Sequence, residues 1–157
     1  MSKIILITGG SSGIGKSIGE YLQDKGFCVY GTSRNPDRYS NSNIPLIKMD
    51  VTNSESIGQG VTRVLEKAGR IDVLINNAGA GITGPMEEIP EDAMKHNFDT
   101  NFFGPINVIK AVLPAMRQQK TGLIINITSI VGHTGNLGQA NYAASKAGIV
   151  AFSKSLA

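Results

Sequence analysis

Tyr142 and Lys146 stand four positions apart in the stretch Asn141-Tyr142-Ala143-Ala144-Ser145-Lys146, so a helix there puts a phenol and an ammonium on one face. A free tyrosine titrates at about 10, and a neighbouring ammonium favours its phenolate. Such a pair can hand a proton to an oxygen near neutral pH. The alternative is one turn of an ordinary amphipathic helix carrying a solvated lysine. Ser129 follows the run Leu123 to Thr128 (LIINIT), and its hydroxyl either bonds a substrate oxygen or forms a turn. Asn101, within FDTNFFGP, is by itself a cap or a helix-face amide.

A second set of residues suits phosphate. The run Lys3 to Thr8 passes directly into Thr8-Gly9-Gly10-Ser11-Ser12-Gly13-Ile14-Gly15. Glycines let the main chain turn tightly against a pyrophosphate, whose charge the start of the following helix attracts. In isolation the cluster is a flexible loop; after the first strand of an alternating chain it reads as a dinucleotide site. A carboxylate that selects the ribose 2′-OH belongs at the end of the second strand, and Tyr30-Gly31-Thr32-Ser33-Arg34-Asn35 has none. Arg34 fits a 2′-phosphate, with Ser33 adding a hydroxyl. This favours NADP(H) while allowing NAD(H). The alternatives are a solvated Arg34, or Asp37 turned inward.

The elements that must position these residues follow from apolar patterning. Lys3 to Thr8, Phe27 to Thr32, Pro45 to Met49, Ile71 to Asn76 and Leu123 to Thr128 are short Ile- and Val-rich runs that read as buried strands. Between them Ile14, Ile18, Leu22 and then Ile57, Val61, Val64, Leu65 recur at helical spacing. Gly26 is expected to stop the first helix, and Thr52 with Glu55 to form a capping box before the second. The stripe Phe98, Phe102, Ile106, Ile109, Leu113, Met116 marks a third, with a bend or break expected near Pro105 and Pro114. Strands alternating with helices predict a doubly wound parallel sheet with right-handed crossovers.

The 157 residues, 41% hydrophobic and 17% charged, suit one domain with one core. The longest apolar runs are too short for a membrane span, and the lone Cys28 cannot form an internal disulfide; both fit a cytoplasmic protein. A net charge of +3 without a cluster of basic and aromatic residues gives no nucleic-acid surface. His96 has Asp99 nearby but no third ligand, and His133 stands on the loop after Ser129 without even that, so no metal site is expected.

Taken in order along the whole chain, Thr8-Gly9, Gly13-Ile14-Gly15, Asp50-Val51, Asn76-Asn77-Ala78-Gly79, Asn101, Ser129, and Tyr142 with Lys146 resemble the classical short-chain dehydrogenase/reductase family. The resemblance implies one Rossmann-like α/β domain over residues 1–157, a three-layer α/β/α sandwich. It implies an oxidoreductase that reduces a carbonyl by hydride transfer from NADP(H), with Asn101, Ser129, Tyr142 and Lys146 as a proton relay. The cofactor would be held by Gly9, Ser11, Ser12, Gly13, Ile14, Gly15, Ser33, Arg34, Asp50, Val51, Asn77, Ala78, Gly79, Tyr142 and Lys146. In the family pattern Asp50 contacts the adenine, Asn101 anchors a water leading to the lysine, and Lys146 also bonds the nicotinamide ribose.

Gly138 to Ala157 resembles the β-ketoacyl-acyl-carrier-protein reductases, whereas Gly84 to Arg117 is closer to reductases and dehydrogenases of steroids, retinoids and other carbonyl compounds. The implied partner is a small carbonyl or alcohol substrate, free or bound to acyl carrier protein, and a homo-oligomer, dimer or tetramer, is expected. The family pattern continues past the last helix with a sixth strand, a Pro-Gly segment and a substrate-covering loop. With five strands the chain reads as truncated after the fifth strand and its helix, leaving a sheet edge and a helix face uncovered. The alternative to a reductase is therefore a nucleotide-binding module with little or no catalysis.

Overall fold

The computed structural model describes residues 2–157. Five parallel strands, β1 (Ile4–Ile7), β2 (Cys28–Ser33), β3 (Leu46–Lys48), β4 (Val73–Asn76) and β5 (Leu123–Asn126), form one sheet in the order β3-β2-β1-β4-β5. Each expected strand is present; β2 is displaced by one residue and the others are shortened at one or both ends. Register is continuous across the centre: Leu6 pairs with Tyr30 on one side and with Leu74 on the other, and Leu74 pairs with Ile124. Order reverses between β1 and β4, which opens a crevice at the carboxyl ends of the strands.

Helices lie on both faces. The helix α1 (Gly13–Asp24) packs Ile18 and Leu22 on Ile5, Ile7, Val29, Val73 and Ile75. On the opposite face Ile57, Val61 and Val64 of α2 (Ser54–Ala68) join Val108, Ile109, Val112 and Met116 of α4 (Gly104–Gln119) over Leu6, Ile47 and Leu74. The short α3 (Glu91–Phe98) and α5 (Val131–Thr134) and the terminal α6 (Ala140–Leu156) complete the set, with Phe152 of α6 against the α2/α4 core. Burial of alternate strand residues into two separate cores is what fixes the pairing register.

Two local expectations change. Asn53, not Thr52, caps α2: its Oδ1 accepts from the Ser56 N–H at 2.8 Å, while the Thr52 hydroxyl donates to Asp50 Oδ1 at 2.8 Å and is spent on the preceding turn. A π-helical turn over Asp99–Phe103 interrupts the helical run just before Pro105, the second residue of α4. Pro114 does not end α4, which runs on to Gln119 with buried Val112 and Met116 on either side of the proline. Gly26 follows the end of α1 with φ +85, as a stop requires.

Candidate active site

A cleft of about 530 Å³ opens at the carboxyl ends of β1, β2 and β4. Gly9, Ser11, Ser12 and Ile14 line one wall. Gly9 has φ +67, and a Cβ there would lie 3.0 Å from the Ala78 Cα, so the turn passes close to the strand-end loop as only glycine allows. Gly13, φ +54, and Gly15 do not line the cleft; Gly15 is buried beneath the Gly9 carbonyl and the Asn77 amide and lets α1 start directly under the turn. No described side chain caps α1, so the N–H groups of its first turn lack side-chain acceptors where Ser11 and Ser12 face the cleft.

Thr8 ties this turn to the loop after β4. Its Oγ1 accepts from the N–H groups of Asn77 and Ala78, both at 3.0 Å, and the Asn77 amide returns bonds to the Thr8 and Gly9 carbonyls at 3.0 and 3.1 Å. Asn77, Ala78, Gly79 and Ala80 then form the inner wall. At the outer end Ser33, Arg34, Asn35, Arg38 and Tyr39 face Asp50, Val51 and Thr52, with His96 and Thr100 beside them. Asp37 is exposed and does not line the cleft, so the inward turn it was open to does not occur. Among the described residues Asp50 is the one carboxylate in the lining. Burial pushes its carboxyl up, but the Thr52 N–H and hydroxyl, at 2.9 and 2.8 Å from Oδ1, together with Arg34 and His96, outweigh burial and hold it below the usual carboxylate range.

The inner end of the cleft meets Asn101 and Lys146 at Gly79. A Cβ on Gly79 would stand 3.0 Å from Asn101 Oδ1 and 3.6 Å from Lys146 Nζ. The π-helical turn directs Asn101 inward, fully buried, where its amide accepts from the Ala80 N–H at 2.9 Å and donates to the Ala80 carbonyl at 2.8 Å. Lys146, 5% exposed, donates to the Ile127 carbonyl at 3.0 Å, and its own carbonyl accepts from the Thr128 hydroxyl at 3.1 Å. Burial lowers its ammonium from the ordinary lysine value. The Nζ lies 5.8 Å from the Tyr142 ring centroid, so helix α6 does present phenol and ammonium together. Ser129, half-buried three residues beyond β5, contributes its carbonyl to the Gly132 N–H at 3.0 Å. Lys146 stands behind Gly79, and neither it nor Tyr142 is in the lining of the cleft.

Residues 3–157 match the model of the short chain dehydrogenase family. The chain belongs to that family. It is 47% identical over 155 residues to a 3-ketodihydrosphingosine reductase of Bacteroides thetaiotaomicron, covering 99% of this chain and 57% of the relative. A 3-oxoacyl-acyl-carrier-protein reductase of Vibrio cholerae is 38% identical over 161 residues, with 66% of its length covered. Among solved structures, a variant actinorhodin polyketide ketoreductase with NADPH superposes with a TM-score of 0.92 at 34% identity, over 99% of this chain and 64% of that one. The chain thus spans 57% to 66% of the length of these family members.

Several residues of this short chain dehydrogenase site were not expected from the sequence. Thr8, Thr32, Arg38, Tyr39, Ala80, His96 and Thr100 line or build the cleft. Arg38 had a signal, a second arginine four positions after Arg34 on a Pro-started turn, and Thr8 stands inside the glycine motif itself. His96 had none, because only the fold carries the end of α3 to the mouth of the cleft.

Proposed function

We propose that this short chain dehydrogenase binds NADP(H) in the cleft and reduces a ketone or β-ketoacyl group to an alcohol. The observation that carries the reading is the meeting at Gly79, one thin wall that is cofactor cleft on one side and Asn101 and Lys146 on the other. The residues fit a dinucleotide: a glycine turn under a helix start without a side-chain cap suits the pyrophosphate, and Asp50 and Val51 suit an adenine. Arg34 and Arg38 at the outer end, with no carboxylate closing β2, suit a 2′-phosphate and make NADP(H) the preferred form over NAD(H). When bound, the nicotinamide supplies the hydride. Ser129 holds the carbonyl oxygen, Tyr142 Oη gives it a proton, and Lys146 favours the phenolate that remains. Asn101 keeps Ala80, and with it the inner wall, in place.

A substrate of the β-keto class, free or carried on acyl carrier protein, is favoured by two of the relatives above. The coverage of their length favours a second reading, a nucleotide-binding module whose substrate side lies outside these residues. Mixing the protein with NADPH and a panel of ketones, β-ketoacyl thioesters and long-chain 3-keto amines separates the two. Loss of NADPH absorbance with any carbonyl supports the reductase; NADPH binding without consumption supports the module.

A further inference from the structure

A buried amide, Asn97, and a half-buried one, Asn141, both outside the expected relay, join the cofactor wall to the phenol helix. Asn97, 2% exposed, lies in the last turn of α3. Its Nδ2 donates to the Ala80 carbonyl at 2.8 Å, and its Oδ1 accepts from Asn141 Nδ2 at 3.0 Å. Asn141 immediately precedes Tyr142, and its amide also donates to the Met94 carbonyl at 3.2 Å. Ala80 closes the loop whose Asn77, Ala78 and Gly79 line the cleft. One side chain therefore bridges the inner wall of the cleft and the first turn of α6. An amide this deep is tolerated only while its partners stay in register, because leaving it unpaired forfeits its hydration without return.

We infer that Asn97 is a positioning residue: acting through Asn141, it sets where the Tyr142 phenol stands relative to the cofactor wall. The inference rests on the reductase reading above. Lys146 has anchors of its own in Ile127 and Thr128, one turn further along α6. Loss of the Asn97 bridge therefore loosens the phenol end of the helix, leaving Asn141 on the Met94 carbonyl and the longer Asn101–Ser145 bond there, while the ammonium end keeps its anchors. Asn101 shares the Ala80 carbonyl but grips the Ala80 N–H as well, so the inner wall survives when Asn97 is lost.

The test uses Asn97→Leu, which keeps volume and drops both bonds, Asn141→Ala, and the double variant. Turnover is expected to fall by about tenfold to a hundredfold, the scale that a misplacement near 1 Å produces. NADPH affinity, read by fluorescence, stays within about twofold of wild type, and the double variant is no slower than the slower single. Turnover unchanged in both singles, or NADPH affinity falling in step with turnover, overturns the inference. If Asn97→Leu does not fold, Asn141→Ala, which leaves the buried amide in place, decides. If the wild type reduces no carbonyl, the reductase reading fails, and positioning is then read by NMR of 13C-tyrosine-labelled protein. With the Tyr142 ring signal identified by its absence in Tyr142→Phe, a shifted signal in Asn141→Ala supports the inference and an unmoved one refutes it.

Discussion

A phenol serves as a proton donor only where the charge it leaves behind is accepted, and the proposed reduction gives that duty to Lys146, which folding has buried. The Tyr142→Phe change keeps ring and packing but deletes the donor, so carbonyl turnover is expected to fall by about a hundredfold to ten-thousandfold, measured by NADPH consumption. Lys146→Met should also slow turnover, and combining the two should add little, because the cation has no target once the phenol is gone. Stability runs the other way. Burial lowers the folded value for Lys146 below its unfolded one, so below the folded value the fold carries the full cost of a buried ammonium. Between the lowered value and about 10.4 the unfolded chain holds the proton that the folded one has lost, and stability rises with pH. Urea unfolding should therefore find Lys146→Met more stable than wild type at neutral pH, on the order of 1 kcal/mol, with the gap closing in alkali. A gap that widens in alkali would refute this account. At the outer end of the cleft, Arg34→Asp should weaken NADPH binding by about tenfold or more while leaving NADH within about threefold, as titration of both cofactors can show. The types and spacing of these residues were legible in the sequence. The Asn97 bridge was not, since its partner Asn141 lies 44 residues away and only the packing of α3 on α6 brings them together.

Elements were legible wherever an apolar period repeated, and least so where polar side chains decide an end. Every strand was visible as an Ile- and Val-rich run, but Thr52 read as a cap because its competing bond to Asp50 cannot be seen in a pattern. The break near Pro105 was visible as a proline, while the π-helical turn before it, which directs Asn101 inward, leaves no compositional trace. Asp72 is a further case, an acid inside the apolar run Ile71 to Asn76 that proves to be an anchor between strands. Its Oδ2 accepts from the Ile4 N–H at 2.8 Å, its Oδ1 pairs with Arg70, and its backbone N–H and carbonyl bond Ile4 and Leu123 at 2.9 Å each. Burial raises the Asp72 carboxyl, but the Ile4 N–H and then Arg70 and Lys3 outweigh it, and the folded value lies below the unfolded one. The stabilisation is thus complete above the unfolded value of about 3.9 and is lost as pH falls through the lower folded value. Asp72→Ala should cost about 1 to 3 kcal/mol in urea unfolding at neutral pH, with the difference from wild type shrinking in acid. An equal cost at both pH values would show that the carboxylate charge plays no part.

Seen as a whole, the sheet is covered unequally. One face carries α2 and α4 with part of α6, and its strand residues Leu6 and Leu74, with Val108 of α4 packed over them, are fully buried. The other face carries α1 alone, whose Ile18 and Leu22 pack on the core of β1, β2 and β4. Alternation places the odd-numbered residues of β5 on that second face, beyond the cover of α1, and there Leu123 is 53% and Ile125 38% exposed. Since β5 is also the last strand in the order, its outer backbone groups have no strand partner among the described residues. An open edge carrying exposed apolar side chains is the arrangement that natural sheets avoid, because it templates pairing with another chain. The chain as given should therefore self-associate through β5 as its concentration rises, seen as growing mass in light scattering. Ile125→Lys places a charge on the exposed position without touching either core, the device that natural edge strands use. It should lower the associated fraction while leaving the melting temperature and NADPH affinity unchanged. An unchanged mass profile in Ile125→Lys would move the contact away from β5.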